Sequence, residues 1–170
     1  MTLQEIKTLV AYNAWATNRI FEAVEMLPPE EAMQDMKSSH KSIHGTLTHL
    51  VGAEKIWLSR MLGTPDKGMI KPPDVPTIAD VKSAWEQTGF ATARFLGAMT
   101  DRKLQETFTM STAKGEQFTH SFAQALQHVV DHSTYHRGQV ITLMRQMGHT
   151  PPNTGMISFF RETAPAKKQQ

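Results

Sequence analysis

Three histidines, His128, His132 and His136, recur at intervals of four residues, a spacing that stacks side chains over successive turns of one helix. The apolar residues around them, Phe122, Ala125, Val129, Val140, Leu143 and Met147, continue the line in steps of three and four. His132 and His136 therefore stand where Leu or Val is expected, and His128 lies about one residue's rotation to the side. An unpaired polar group in a core costs about 1–3 kcal/mol, and a shared metal ion would satisfy both rings. The third ligand is expected from another helix. His49 fits best, because Gly45 and Ala53, one turn before and after it, leave space beside the imidazole for an ion, a water or a ligand.

Three neutral imidazoles would leave a divalent ion its full charge, suiting it to lower the pKa of a bound water or thiol or to polarise a carbonyl. Zinc fits a tetrahedral shell of three imidazoles with a further open position, and nickel or iron fits with extra waters; the spacing does not choose among them. His128 reads first as a flank residue, with ligand orientation or proton shuttling at the site mouth as its functional alternative. His40, His44, His120 and His149 read as surface or loop residues. Arg137 and Gln139 read as ties to neighbouring helices, Gly138 as a point of close helix approach, and Tyr135 and Trp57 as wall or core. The 11 methionines read as core filler, not as ligands.

The elements that must position these residues are helices. Thr2 followed by Glu5 makes a capping box, and Ile6, Leu9, Val10, Asn13, Ile20, Phe21 and Val24 keep helical spacing until Pro28-Pro29 stops the first long helix. A short extra turn is expected over 29–36. The second long helix runs from about Ser42 to Leu62, capped by Gly63. The proline-rich stretch from Gly63 to Pro76 reads as a crossover loop longer than most bundle connections. Thr77 and Asp80 start a third helix through Met99, whose face is poor in possible ligands. Alternation over 107–112, a turn at Lys114-Gly115-Glu116 and a return over 117–119 predict a short β-hairpin. The fourth helix spans about Ser121 to Met147, closed by Gly148 and Pro151-Pro152. Met156-Ile157-Ser158-Phe159-Phe160 is expected to fold back over one end of the bundle, and 162–170 to form a flexible tail. The fold class is thus all-α, a four-helix bundle, the architecture that builds metal sites from inward side chains on facing helices.

Composition excludes several functions. At 170 residues and 39% hydrophobic content, one domain over 1–170 is expected. A net charge of +2 with no basic stripe argues against nucleic acid as a partner. With no cysteine, disulfides, thiolate ligands and a cysteine nucleophile are excluded. The N-terminal residues lack the basic start and apolar run of a signal peptide, and no stretch has the roughly 18 apolar residues of a membrane span. A soluble cytoplasmic protein with no membrane partner is the expectation.

Several segments also carry a resemblance: Tyr12-Asn13-Ala14-Trp15-Ala16 with Asn18-Arg19, then Gly45-Thr46-Leu47-Thr48-His49 through Glu54 with Trp57-Leu58, and above all His128 through Gln139 with Leu143 through Gly148. Spread over nearly the whole chain, they make the sequence similar to the DinB family, the bundle superfamily that includes bacillithiol transferases and mycothiol-dependent isomerases. The resemblance implies one metal ligand from helix two and two from the last helix, mapping onto His49, His132 and His136. It also implies a small-molecule substrate, activation of a low-molecular-weight thiol by the metal for transfer to an electrophile, and pairing into a homodimer. The Phe159-Phe160 patch would serve that pairing or act as an intramolecular lid. The Asp typical of the family shortly after the prolines is absent; Asn153-Thr154-Gly155 stands there. The alternatives are a metal-dependent hydrolase, in which the same ion activates water, and a bundle that holds metal or ligand without chemistry. An open coordination position facing a groove separates the catalytic readings from a structural clip.

Overall fold

The structure, a computed structural model, describes residues 1–64, 68–111 and 115–164. Local signals start each long helix. In α1 (Leu3–Glu25) the Thr2 hydroxyl accepts from the Glu5 amide while the Glu5 carboxylate accepts from the Thr2 amide. Pro29 opens the short α2 (Pro29–Met33), with Glu30 and Glu31 at its positive end. Ser42 caps α3 (Ile43–Met61) by accepting from the Gly45 amide, and past its end Gly63 takes a φ of 68°, the left-handed conformation that glycine allows without penalty. A single 3-10 turn at Pro72–Asp74 follows in the crossover. Thr77 and Asp80 form the capping box of α4 (Ile78–Gly97).

Neither the 3-10 turn nor the short helix between α4 and the hairpin was foreseen. Asp101–Gln105 forms α5, capped by Thr100, whose hydroxyl accepts from the Lys103 amide. The expected hairpin follows as β1 (Thr107–Ser111) and β2 (Gln117–Ser121), antiparallel, with Phe108 opposite His120 and Met110 opposite Phe118. Of its expected turn, Lys114 lies outside the described residues. Ser121 both ends the hairpin and, with Gln124, makes the capping box of α6 (Phe122–Gln146).

The long helices form a ring, with α6 packed against α1 and α3 and α4 closing on the same two. Ile20, Phe21, Leu47, Leu50, Val140 and Met144 fill one end of the bundle; Ile6, Leu58, Leu104 and Leu126 fill the other. The last segment does fold back, but against the middle of α1 and not over an end of the bundle: α7 (Met156–Thr163) buries Phe159 against Tyr12 and Trp15 at ring distances of 5.9 and 5.7 Å. Phe159 and Phe160 part company here, since Phe160 stays 44% exposed. Ordered helix also runs further than the expected tail boundary, because Glu162 accepts from Arg19 at 2.8 Å and from the Trp15 indole at 3.1 Å; residues 165–170 of that tail lie outside the described residues. No described helix is long and apolar enough to cross a membrane.

Candidate metal centre

α3 presents His49 and α6 presents His132 and His136 to one another. His132 Nε2 lies 3.3 Å from His49 Nε2 and 3.1 Å from His136 Nε2. The three ring planes are mutually inclined, by 46° between His49 and His132, 59° between His132 and His136, and 68° between His49 and His136. Inclined planes can share a point, so one ion can lie in all three. The spacing also suits an ion, since metal–imidazole bonds of about 2.0–2.1 Å at tetrahedral angles put neighbouring nitrogens roughly 3.3–3.4 Å apart.

Proton bookkeeping favours the same conclusion. His136 Nδ1 lies 2.8 Å from Gln139 Oε1; a carbonyl oxygen only accepts, so Nδ1 carries the hydrogen and the neutral ring keeps a lone pair on Nε2. His132 Nε2 then has one hydrogen at most for two close nitrogen neighbours. Protons alone leave one of these contacts poorly satisfied, whereas a cation uses every lone pair. The rings are held neutral: burial, reinforced by neighbouring imidazoles, lowers the pKa of His49 and of His132 from 6.5 to about 4. Burial likewise lowers that of His136, against the opposing effect of the Gln139 hydrogen bond.

A fourth imidazole was missed. His40 was expected at the surface, but its ring stacks on His49 with centroids 4.0 Å apart and planes 17° apart, and lies 5.2 Å from His136. The tight loop that carries it is closed by a hydrogen bond from the Met36 amide to Lys41 O at 2.7 Å, with Lys37 and Lys41 at positive φ. Gly45 explains the approach: a Cβ there would stand 2.1 Å from His40 O. The space expected beside His49 at Gly45 is thus filled by the backbone of this loop and is not open to an ion. Among the described residues, His40, His49 and His136 offer ligand atoms all within 4.8 Å of one another, a group able to hold a metal ion. Two different histidine triads therefore meet at this place. Near-parallel rings cannot both keep an ion in plane, so His40 as placed covers His49, and the triad with His132 is the better aimed. Two more histidines expected at the surface or in loops have partners: His44 instead lies inside α3, buried, with Nε2 2.7 Å from Val75 O, and His149 pairs with Glu31.

Behind the cluster lies a buried polar network. Arg137, 1% exposed, donates to Asn13 Oδ1, to Thr17 Oγ1 at 3.0 Å and to Thr134 Oγ1 at 2.8 Å. Glu54 Oε1 accepts from Asn13 Nδ2 and Ser133 Oγ, each at 2.7 Å. Burial raises the Glu54 pKa against these hydrogen bonds and the nearby guanidinium, and burial lowers that of Arg137. Ser133 and Arg137 each follow a cluster histidine, and Glu54 shares α3 with His49. The network thus fixes how α3 and α6 are rotated towards each other. It also widens the buried face of α6: beside Phe122, Ala125, His136, Val140 and Leu143 of the line drawn by hydropathy, Leu126, Val130, Ser133, Arg137 and Met144 are buried, because polar residues with partners hold core positions there. His136 is buried, while His132 is half-buried at the flank.

The remaining neighbours settle as follows. Gly138 faces open space, since a Cβ there would meet nothing within 4 Å; no helix approaches it. Tyr135 is 65% exposed and meets His136 edge-on at 5.1 Å, so it is neither core nor closed wall. It borders an open hollow of about 550 Å³ with Lys37, Ser38, Ser39 and Gln139. On the other side His128 is exposed, with its ring 5.8 Å from His132 and edge-on to Trp57 at 4.8 Å.

Comparison with known proteins adds a family. The sequence model of the DinB family matches residues 1–169. Protein DinB of Bacillus subtilis (strain 168) is 27% identical over 177 residues, covering 93% of this chain and 96% of that protein. The crystal structure of a DinB-like protein from Bacillus cereus ATCC 10987 superposes with a TM-score of 0.69 at 23% identity, covering 89% of this chain and 97% of that one. At that identity the match speaks for the fold alone.

Proposed function

The chain belongs to the DinB family, and from that premise we propose that His49, His132 and His136 hold one divalent ion, zinc first and nickel or iron next, at which a low-molecular-weight thiol is activated for transfer to an electrophile. The observation that carries this reading is the pair of Nε2 separations from His132, 3.3 Å to His49 and 3.1 Å to His136, close to those between ligands of a tetrahedral shell. Bound there with a position open, the ion supplies Lewis acidity that favours thiolate over thiol.

This chain's residues do the rest. Gln139 holds His136 in the tautomer that ligates. The Arg137 and Glu54 network keeps α3 and α6 in register. The 550 Å³ hollow beside Tyr135 and Gln139 offers Lys37 and Ser39 to a polar thiol. In the transfer, the sulfur forms a bond to the electrophilic carbon, the leaving group departs with the bonding pair, and the thiol proton passes to solvent.

The test is turnover by zinc-loaded protein of cysteine with 1-chloro-2,4-dinitrobenzene, and of 4-nitrophenyl acetate in water. Thiol conjugation above the uncatalysed rate, lost in His132→Ala, supports transfer. Ester hydrolysis without conjugation would replace it with the hydrolytic reading, and neither activity with a loaded site would leave a metal-binding bundle.

A further inference from the structure

Strand alternation puts Phe108 and Met110 of β1 on one face of the hairpin, and the register sets His120 and Phe118 of β2 beside them. The inner pair is anchored: Phe108 stacks on Phe122 at 5.2 Å, and His120 lies 6.0 Å from Trp57. The outer pair faces Trp57 of α3 and Ala125 and His128 of α6 across a gap. Phe118 remains 45% exposed, and a cleft of about 320 Å³ opens between that pair, Trp57, His120 and His128. This is the size of a small-molecule pocket, and among the described residues no Lys, Arg, Asp or Glu lines it.

Its walls are rings in two orientations. Trp57 meets His128 and His120 edge-on, at 61° and 65°, while Phe118 and His120 lie nearly parallel at 11°. A flat ring entering the gap can stack on one wall and meet another by its edge, the two arrangements aromatic pairs prefer. An aliphatic occupant gains only from burial. A charged one finds, among the described residues, only the Arg60 guanidinium, which already lies over the Trp57 ring at 5.1 Å from its centroid. The cleft begins at His128, whose ring is 5.8 Å from that of His132.

We propose that this cleft under the hairpin is the subsite for the electrophilic partner, an uncharged planar aromatic compound, with Trp57, Phe118, His120 and His128 as its contact residues. This deepens, and rests on, the reading of the neighbouring histidines as a centre for thiol transfer. It assigns His128 to substrate contact and not to the metal.

The experiment titrates zinc-loaded protein with 4-nitrobenzyl alcohol, an unreactive nitroaromatic that quenches indole fluorescence on contact. A saturable quench is expected that disappears in Trp57→Phe, is weakened about tenfold by Phe118→Ala at an exposed and therefore tolerant position, and is competed about tenfold less well by cyclohexylmethanol. Absence of a saturable quench, an undiminished quench in Trp57→Phe, or equal competition by the aliphatic alcohol overturns the proposal. So does conversion of a dimer to a monomer by Phe118→Ala in sedimentation, which would make the cleft an interface between copies. Metal content measured on the same samples separates the two readings: metal without probe binding removes the subsite alone, and probe binding without metal removes the centre.

Discussion

His136 gives its Nδ1 hydrogen to Gln139 Oε1 at 2.8 Å, one turn on along the same helix, and that single bond decides which nitrogen of the ring faces the cluster. Gln139→Leu removes the acceptor without touching a ligand. Partners of this kind are worth about 10- to 100-fold in metal affinity, and a loss in that range is expected from zinc titration against a chromophoric chelator. Unchanged affinity would mean that packing alone fixes the ring.

The buried network predicts a stability effect apart from metal. Arg137→Ala strands the polar groups of Asn13 and Thr17 in the interior, and a loss of about 3 kcal/mol or more is expected from urea unfolding of metal-free protein. A loss below about 1 kcal/mol would show that water satisfies these groups.

Acid should weaken the metal-free fold in a defined window. His49 and His132 have folded pKa values of about 4 against 6.5 for the free side chain, so between those values the unfolded chain binds more protons. Stability from these groups is therefore complete above about pH 6.5, falls as pH drops towards 4, and changes no further below it. His132→Asn should flatten the slope of unfolding free energy across that window. A mutant slope as steep as the wild type's would place the titration elsewhere.

Two glycines should respond in opposite directions. Gly45→Ala drives a Cβ into His40 O, so the loop must move; lower thermal stability and loss of the His40 ring contact in NMR spectra are expected. Gly138→Ala adds a methyl to an exposed helical site with open space around it, which should stabilise by about 0.5–1 kcal/mol. Equal effects would contradict the packing described at Gly45.

The sequence disclosed most where the signals are local. The pairs Thr2 with Glu5 and Thr77 with Asp80 cap the helices they announced, and of the alternation over 107–112 residues 107–111 became β1, Thr112 lying outside the described residues. α5 escaped because five residues are too few to show a period. The buried face of α6 was read too narrowly, since Ser133 and Arg137 look like surface residues until Glu54, Asn13 and Thr17 arrive as partners from other helices. His40 was illegible for the same reason: nothing in its own segment says which way a tight loop aims a ring. Gly45, with its missing side chain, was the visible trace of that approach, and it was read as room for a ligand.

The most direct test is metal content by elemental analysis of untagged protein, wild type beside folded His40→Ala, His49→Ala, His132→Ala and His136→Ala variants. About one ion per chain in the wild type, retained in His40→Ala and lost in the other three, is the predicted result. Wild-type protein that takes up no zinc, nickel or iron would contradict the account, as would metal lost in His40→Ala and kept in His132→Ala, which would move the centre to the other triad.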